Sequence, residues 1–376
     1  MQFIDLTAQY EALKDRVNMR VQSVFDHGLF IMGPEVEELE SQLASYVGVK
    51  NVVTCGNGTD ALLLALMASG IGEGDAVFVP TFTFFASAEV VSLVRATPVF
   101  VDSDLETFNI CSADLEEKIQ AVLKEGRLNI KCIIAVDLFG LPADYSSLRE
   151  VAHKYGLKII EDAAQSFGGA VGEHKACSLG DIATTSFFPS KPLGCYGDGG
   201  AVFTNDDSVA ELIRSLRVHG KGKDKYDNLH IGLNSRLDTV QAAILLEKLT
   251  VFSAELEVRA RIAAAYDLQV PEVLQIPSVP FGYKSAWAQY TVVAKTKTDR
   301  SMIMSRLVER DIPTMIYYKR CVHEQPAYHA IMADYGPLER AEQLANRVFS
   351  LPIYPYLQDE MVENILVALR DAVIND

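Results

Sequence analysis

The chain has 376 residues, enough for two or three domains with a large core. Charged residues make up 22% of it and apolar residues 49%, a balance typical of globular enzymes. Its formal net charge of -16, together with the lack of a basic patch in the sequence, argues against binding to nucleic acids or to acidic membrane surfaces.

The cysteines and the opening residues predict a cytoplasmic location. The 6 cysteines are scattered through apolar runs without a C-x-x-C pair, so we expect reduced thiols and no metal site. The opening Met-Gln-Phe-Ile-Asp-Leu lacks the basic and apolar regions of a signal peptide. No uncharged apolar run is long enough to predict a membrane span.

The N-terminal segment predicts two helices. Apolar residues recur at helical spacing between Ala8 and His27. Gly33-Pro34 then starts a second helix, whose acidic first turns suit the positive end of the helix dipole.

From residue 51 onward, short apolar runs alternate with helical patterns. This alternation predicts a parallel sheet covered by helices on both faces, where ligands bind beyond the carboxyl ends of the strands. The predicted strands are 51–55, 76–80, 98–102, 131–136, 158–162, 184–188 and 200–205, and the predicted helices are 61–68, 85–96, 113–124, 145–155 and 209–218.

The last part of the chain predicts a second, smaller unit. A long helix from Leu237 to about Tyr266 is predicted near the boundary between a large domain, 1–250, and a small domain, 251–376. The small domain is predicted to have α+β composition, with a strand over 290–294 and helices over 301–310 and 359–371.

One lysine lies in the apolar and glycine-rich stretch from Ser186 to Gly200. Desolvation there disfavours the ammonium form of Lys191, so its amine becomes a nucleophile toward a carbonyl carbon. Pyridoxal phosphate needs such an amine to hold it as a Schiff base. The alternative is a lysine on a surface turn between two strands.

The segment from Gly56 to Asp60 lies between a predicted strand and a predicted helix. Its backbone N–H groups and the Thr59 hydroxyl predict an anion site at a helix N-terminus. The alternative is that these glycines are simply turn residues.

A carboxylate ends the strand 158–162. Asp162 could hold the pyridine nitrogen of the cofactor protonated, with Gln165 near the phenolic oxygen, or it could cap the following turn. Ser186 offers a hydroxyl to the phosphate, and Phe84 offers a ring for stacking on the pyridine or for core packing. Because these groups occur together, each near a strand end, they favour a pyridoxal phosphate site over a separate structural role for each residue.

Taken together, these motifs resemble the DegT/DnrJ/EryC1/StrS family of pyridoxal phosphate-dependent sugar aminotransferases. The resemblance covers nearly the whole chain. It implies an α/β, aspartate aminotransferase-like fold (fold type I), with a mostly parallel seven-stranded sheet and a smaller C-terminal α+β domain. The motifs that carry it are Phe3-Ile4-Asp5-Leu6, Gly33-Pro34-Glu35-Val36, Gly58-Thr59-Asp60-Ala61-Leu62, Glu161-Asp162-Ala163-Ala164-Gln165, Ser186-Phe187-Phe188-Pro189-Ser190-Lys191, Gly197-Asp198-Gly199-Gly200 and Asn234-Ser235-Arg236-Leu237-Asp238.

The resemblance also implies roles for single residues. Lys191 would bond to the cofactor, Asp162 would pair with the pyridine nitrogen, and Gln165 would contact the phenolic oxygen. Asn234 would reach the phosphate of a neighbouring subunit, which implies a homodimer with shared active sites. The remaining cofactor contacts implied are Phe84 stacked on the ring, and Gly58, Thr59 and Ser186 at the phosphate.

Within the family, the chain most resembles the sugar 3-aminotransferases, in particular the branch that acts on UDP-2-acetamido-2-deoxy-3-oxo-glucuronate for O-antigen synthesis. Arg236 suits a glucuronate carboxylate, because its fork binds two oxygens at once. Tyr317 and Tyr318 are candidate substrate contacts at positions where this branch leads us to expect His-Tyr. His323 is a further candidate sugar contact or a structural histidine.

The expected reaction is a transamination, in which L-glutamate gives its amino group to a nucleotide-linked keto-sugar and Lys191 transfers the proton. The resemblance leaves open a dTDP-3-keto-6-deoxyhexose 3-aminotransferase or a 4-keto-sugar aminotransferase. It also leaves open a sugar dehydratase, a class in which histidine replaces the lysine, and a non-catalytic family member. The presence of Lys191 counts against the dehydratase, and the presence of Lys191 together with Asp162, Thr59 and Asn234 counts against the non-catalytic protein.

Overall fold

The structure is a computed structural model that describes residues 1–224, 226–329 and 335–374. Among these residues, none of the helices combines the length and the apolar character that crossing a membrane requires. The helices are α1 (Leu6–His27), α2 (Pro34–Val47), α3 (Gly58–Ala68), α4 (Ala86–Leu93), α5 (Ser112–Glu125), α6 (Tyr145–Tyr155), α7 (Asp207–Leu216), α8 (Thr239–Leu249), α9 (Phe252–Gln269), α10 (Lys297–Val308), α11 (Glu339–Arg347) and α12 (Asp359–Ile374). The strands are β1 (Asn51–Cys55), β2 (Asp75–Pro80), β3 (Thr97–Val101), β4 (Asn129–Val136), β5 (Lys158–Asp162), β6 (Ala170–Val171), β7 (His174–Lys175), β8 (Ile182–Ser186), β9 (Gly200–Thr204), β10 (Tyr283–Lys284), β11 (Tyr290–Val293) and β12 (Val348–Leu351).

The described residues form a central seven-stranded sheet with the strand order β1-β9-β8-β5-β4-β2-β3. The strand β9 runs antiparallel to both of its neighbours, and the other neighbouring pairs are parallel. The predicted mostly parallel, seven-stranded sheet is therefore confirmed. Each of its strands overlaps one of the predicted strands.

The strand β2 shows why helices cover both faces of the sheet. All of its residues are buried, and successive side chains point to opposite faces. Ala76 and Phe78 pack in the core formed with α5 and α6, whereas Val77 and Val79 pack in the core formed with α3 and α4. A continuous apolar run thus fits a strand with two buried faces.

A separate cluster forms the core of the C-terminal part. The antiparallel strands β11 and β12 pair Tyr290 with Leu351, and α9, α10 and α12 pack against them. Ile4 of the N-terminal arm is partly buried against the same cluster. The domain boundary near residue 250 stays a prediction.

The predicted continuous helix from Leu237 to about Tyr266 is wrong, because the chain forms the two helices α8 and α9. The Thr250 hydroxyl donates to the Glu247 carbonyl oxygen at 2.6 Å, and the Val251 N–H donates to the Lys248 carbonyl oxygen at 3.2 Å. These bonds satisfy carbonyl groups at the end of α8 locally, so the helix ends there and a new one begins at Phe252.

Several elements of the structure were not predicted from the sequence. They are the helix α11, the strand β12 and the three short strands β6, β7 and β10. A strand of two residues has no measurable hydrophobic periodicity, and α11 has a mostly polar sequence, Glu-Arg-Ala-Glu-Gln-Leu-Ala-Asn-Arg.

Candidate active site

One candidate site lies at the carboxyl ends of the strands β1, β5 and β8. The helix α3 begins at Gly58 directly after the β1 turn, and the Asn57 side chain caps it by accepting from the Asp60 N–H at 2.8 Å. A Cβ atom added to Gly58 would lie 2.7 Å from the Ser186 Cβ, so only glycine lets the helix start approach the end of β8 this closely. The structure therefore brings Gly58, Thr59 and Ser186 together at a helix N-terminus.

Asp162 is the last residue of β5, and its carboxylate is buried. It accepts from the Ser87 hydroxyl at 2.9 Å and from the Ala164 N–H at 3.2 Å. Burial raises the pKa of Asp162, while the bonds from Ser87 and Ala164 and the charge of Lys191 act in the opposite direction. The carboxylate thus depends on nearby donors to stay ionised.

Lys191 lies in the connection between β8 and β9. Its backbone N–H donates to the Phe188 carbonyl oxygen at 2.9 Å, and a Cβ atom at Gly194 would lie 2.5 Å from that oxygen, so the turn is tight. Burial lowers the pKa of Lys191, and the Asp162 carboxylate raises it. The structure therefore places the predicted amine within electrostatic reach of the predicted acid, with the uncharged form of the amine favoured by desolvation.

Two aromatic rings lie on the Asp162 side of the site, since Tyr318 interacts electrostatically with the Asp162 carboxylate and contacts Phe84. Phe84 is 57% exposed, so its ring is not packed in the core. Its ring centroid lies 6.1 Å from that of Tyr318. Gln165 donates from Nε2 to the Tyr318 hydroxyl at 3.1 Å and accepts from the Phe139 N–H at 2.6 Å. Gln165, Tyr318 and Phe84 therefore form one contiguous group.

Two further candidate substrate residues lie on the same C-terminal segment. Tyr317 is half-buried, and its ring centroid lies 6.2 Å from that of Phe3 in the N-terminal arm. His323 has partners within the chain, because Nδ1 lies 2.6 Å from the Thr81 hydroxyl and Nε2 lies 3.3 Å from the Glu342 carboxylate. These contacts support a structural role for His323.

Asn234 and Arg236 flank a buried serine. The Ser235 hydroxyl donates to the Asp60 carboxylate at 2.6 Å and accepts from the Gly56 N–H at 3.0 Å. This tether holds the segment against the turn that precedes α3. Asn234 itself is exposed and Arg236 is half-buried.

Two residues near Asp162 were not predicted from the sequence. Asp137 follows β4, and its buried carboxylate accepts from the Tyr145 hydroxyl at 2.8 Å and from the Ser166 hydroxyl at 2.6 Å. Burial raises the pKa of Asp137 to about 7. Its position directly after a predicted strand was a usable signal. Ser87 carried no such signal, because it contacts Asp162 from 75 residues away.

The donor set fits pyridoxal phosphate. The close approach of Gly58 to Ser186 forms a cradle of N–H and hydroxyl donors for a phosphate at the N-terminus of α3. The buried Asp162 carboxylate suits a protonated ring nitrogen, and the desolvated Lys191 amine suits an aldehyde carbon.

Comparison with known proteins agrees with this chemistry. The chain is 43% identical over 372 residues to the UDP-2-acetamido-2-deoxy-3-oxo-D-glucuronate aminotransferase of Pseudomonas aeruginosa, covering 99% of this chain and 100% of that protein. A crystal structure of a DegT DnrJ EryC1 StrS aminotransferase from Brucella abortus superimposes with a TM-score of 0.96, at 48% identity and 99% coverage of both chains. DesV of S. venezuelae, solved in complex with a ketimine intermediate, gives a TM-score of 0.93 at 36% identity, covering 100% of this chain and 99% of that one.

The family comparison extends over almost the whole chain, since residues 11–370 match the DegT/DnrJ/EryC1/StrS aminotransferase family. The aspartate aminotransferase-like fold inferred from the sequence motifs is confirmed by the structural neighbours. The chain belongs to the DegT/DnrJ/EryC1/StrS aminotransferase family and is a pyridoxal phosphate-dependent sugar aminotransferase.

Proposed function

We propose that this aminotransferase moves the amino group of L-glutamate to C3 of UDP-2-acetamido-2-deoxy-3-oxo-D-glucuronate, for the synthesis of a surface polysaccharide such as O-antigen. The observation that carries the proposal is the identity of 43% to the P. aeruginosa enzyme, which is named as an aminotransferase of this sugar. The match covers 99% of this chain and 100% of that enzyme.

The cofactor-binding roles form part of the proposal. Lys191 bonds to the cofactor, and Asp162 holds the pyridine nitrogen protonated. The support is the burial of Asp162, the desolvation of the half-buried Lys191 and their mutual electrostatic effect. The other proposed contacts are Phe84 on the ring, Gln165 at the phenolic oxygen, and Gly58, Thr59 and Ser186 at the phosphate.

When bound, pyridoxal phosphate supplies an aldehyde carbon for the amine and a ring that stores the electron pair left by a broken C–H bond. Lys191 acts as the general base and then the general acid, because Nζ takes the proton from the α-carbon of L-glutamate and later returns a proton. Desolvation lowers the pKa of Lys191 and so favours the uncharged Nζ, which is the form that accepts a proton. Asp162, in its ionised form, would hold the ring nitrogen protonated.

Arg236 is our proposed partner for the glucuronate carboxylate, because a guanidinium group binds both carboxylate oxygens in one plane. Tyr317 and Tyr318 are proposed to contact the sugar, and the proximity of Tyr318 to Phe84 and Gln165 supports this. His323 is the weakest candidate of the four, since both of its ring nitrogens have partners in the chain.

We also propose a homodimer in which Asn234 reaches the phosphate site of the partner subunit. The support is a run of exposed apolar side chains at and after the end of α1, together with the exposure of Asn234. The molar mass from light scattering would test the dimer. The cytoplasmic location of the protein stays a prediction. The exposed apolar residues of this run are Phe25, Leu29, Phe30, Ile31 and Met32.

The substrate proposal is tested with a panel of purified keto-sugars. The holoenzyme is incubated with L-glutamate and a UDP-linked 3-oxo-glucuronate, the matching 3-oxo sugar with a C6 hydroxyl, a dTDP-linked 3-keto-6-deoxyhexose or a 4-keto sugar. We expect the highest kcat/KM for the glucuronate. We also expect Arg236→Lys to lower it by about 10- to 100-fold for the glucuronate alone, because a bidentate pair to a charged group is lost.

Several outcomes would contradict this assignment. A preference for the dTDP sugar or for a 4-keto sugar would assign the chain to another substrate class. Release of ammonia and a deoxygenated sugar, without amination, would show a dehydratase. Equal losses with both 3-oxo sugars in Arg236→Lys would remove Arg236 from carboxylate recognition.

A further inference from the structure

The carboxylate of Asp162 receives a buried hydrogen bond that the family assignment did not use. Ser87 Oγ donates to Asp162 Oδ2 at 2.9 Å, and Ser87 is 1% exposed. The other Asp162 oxygen, Oδ1, accepts from the Ala164 N–H at the longer distance of 3.2 Å. Hydrogen bonds to an ionised acceptor are about twice as strong as neutral ones, so the bond from Ser87 has a large effect on this acid.

The start of α4 fixes Ser87 in place. The Ser87 N–H donates to the Phe84 carbonyl oxygen at 3.2 Å. The Ser87 hydroxyl lies 3.2 Å from the hydroxyl of the buried Thr83. When Ser87 donates to Asp162, its oxygen is free to accept from Thr83. The same turn therefore carries the Phe84 ring and a chain of two hydroxyl groups that ends on the carboxylate.

We propose that Ser87 is a positioning residue of the transamination, whose hydroxyl fixes the orientation of the Asp162 carboxylate and holds it in the ionised form. The proposal depends on the proposed pairing of Asp162 with the pyridine nitrogen. A carboxyl group that has rotated away or become protonated cannot keep that nitrogen protonated.

The electrostatics at Asp162 agree with this geometry. Burial raises the pKa of Asp162, and the Ser87 bond is the strongest influence that lowers it, ahead of the Ala164 N–H and the Lys191 charge. Loss of the Ser87 hydroxyl therefore raises the pKa of the acid further. The titratable groups that interact electrostatically with Asp162 from the surrounding elements are Lys191, Asp137, Tyr145, Cys177 and Tyr318.

A matched set of holoenzyme variants separates positioning from simple packing. Ser87→Ala removes the hydroxyl, and Ser87→Thr keeps it. Ser92→Ala is the control, because it removes a serine hydroxyl from the same helix, where Ser92 lies 3.2 Å from the Tyr328 hydroxyl. Asp162→Asn is the reference for complete loss of the acid.

We expect Ser87→Ala to slow the maximum rate of the single-turnover half-reaction with L-glutamate by about 10- to 100-fold, because a hydrogen bond to a charged group is lost. The L-glutamate concentration that gives half of this rate should change little. The visible absorbance of the bound cofactor should show a changed pH dependence, shifted toward that of Asp162→Asn. Ser87→Thr should keep most of the rate and the wild-type spectrum, and Ser92→Ala should match the wild type in both. Should Ser87→Ala fail to fold, Ser87→Cys carries the same test, because a thiol is a weak donor of similar size.

The inference is overturned if Ser87→Ala, or Ser87→Cys in its place, keeps the wild-type rate and pH dependence while Asp162→Asn loses both. It is also overturned if Ser87→Thr is as slow as Ser87→Ala. If Asp162→Asn itself keeps the wild-type rate and spectrum, the proposed role of Asp162 fails and the role of Ser87 fails with it. The Asp162→Asn result therefore distinguishes the two failures.

Discussion

At the scale of single residues, two desolvated lysines, the half-buried Lys191 and the buried Lys248, show how surroundings decide between chemistry and packing. Burial lowers the pKa of both Lys191 and Lys248. Lys191 lies within reach of the Asp162 carboxylate in the candidate site. Lys248 is 1% exposed, and its Nζ lies 4.6 Å from the centroid of the Tyr196 ring. A lowered amine pKa therefore marks both residues, and only the geometry around each assigns a role.

Lys248 gives a prediction about stability and pH. Burial lowers its pKa from 10.5 to about 8, against the raising effect of Glu255, so the folded chain binds this proton less tightly than the unfolded chain does. With respect to this group, the folded chain is most stable above pH 10.5, where the amine is uncharged in both states. That stability is lost as the pH falls through about 8, because the buried amine must then take up a proton. Lys248→Met removes the cost of burying an ammonium group, and it also removes the cation–π contact. We therefore expect it to raise the free energy of unfolding at pH 7 by about 2 kcal/mol.

Urea unfolding at several pH values measures this effect. The gain from Lys248→Met should shrink as the pH rises from about 8 to 10.5. The control Lys14→Met changes an exposed lysine of α1 and should leave the free energy of unfolding nearly unchanged. A constant gain at all pH values, or destabilisation at pH 7, would contradict the linkage argument.

At the scale of elements, an ion pair between the buried Arg217 and the half-buried Glu40 joins a helix, a strand and a second helix. Arg217 follows α7 and is 4% exposed. Its Nη1 donates to the Glu40 carboxylate of α2 and to the Thr54 carbonyl oxygen of β1, both at 2.7 Å. Glu40 in turn accepts from the Thr54 N–H at 2.8 Å. These contacts fix the edge strand β1, which leads into α3 and the proposed phosphate site.

Removal of Arg217 should therefore be costly. Arg217→Ala leaves Glu40 without its buried counter-charge, and we expect a loss of about 3–5 kcal/mol in the free energy of unfolding. The control Arg214→Ala removes an exposed arginine from α7 and should cost less than about 1 kcal/mol. Chemical denaturation of both variants measures the difference, and equal losses would refute a specific role for the ion pair.

The sequence predicted elements well where the pattern was long and local. The continuous apolar run of β2 and the Gly33-Pro34 start of α2 were sufficient for their elements. The end of α8 was missed, because it depends on a hydrogen bond from the Thr250 side chain rather than on a break in the apolar pattern. The strand β12 was missed because it is defined by its partner, β11.

At the scale of the whole molecule, the topology explains which parts of the site could be predicted. Lys191 and Asp162 could be predicted to lie together because each follows or ends a strand of one sheet, and parallel strands bring their carboxyl ends to one edge. The contact of Ser87 with Asp162 is tertiary, and no local pattern reports it. The same holds for the tether of Ser235 to Asp60, which joins segments 175 residues apart.

The central claim is that Lys191 is the one amine that bonds to the cofactor, and borohydride reduction tests it most directly. The holoenzyme is reduced, digested and examined by mass spectrometry, which locates the pyridoxyl group on a single peptide. We predict that this group lies on Lys191 and that Lys191→Ala carries none. A pyridoxyl group on Lys248 or on any other lysine, with Lys191 unmodified, would contradict the claim.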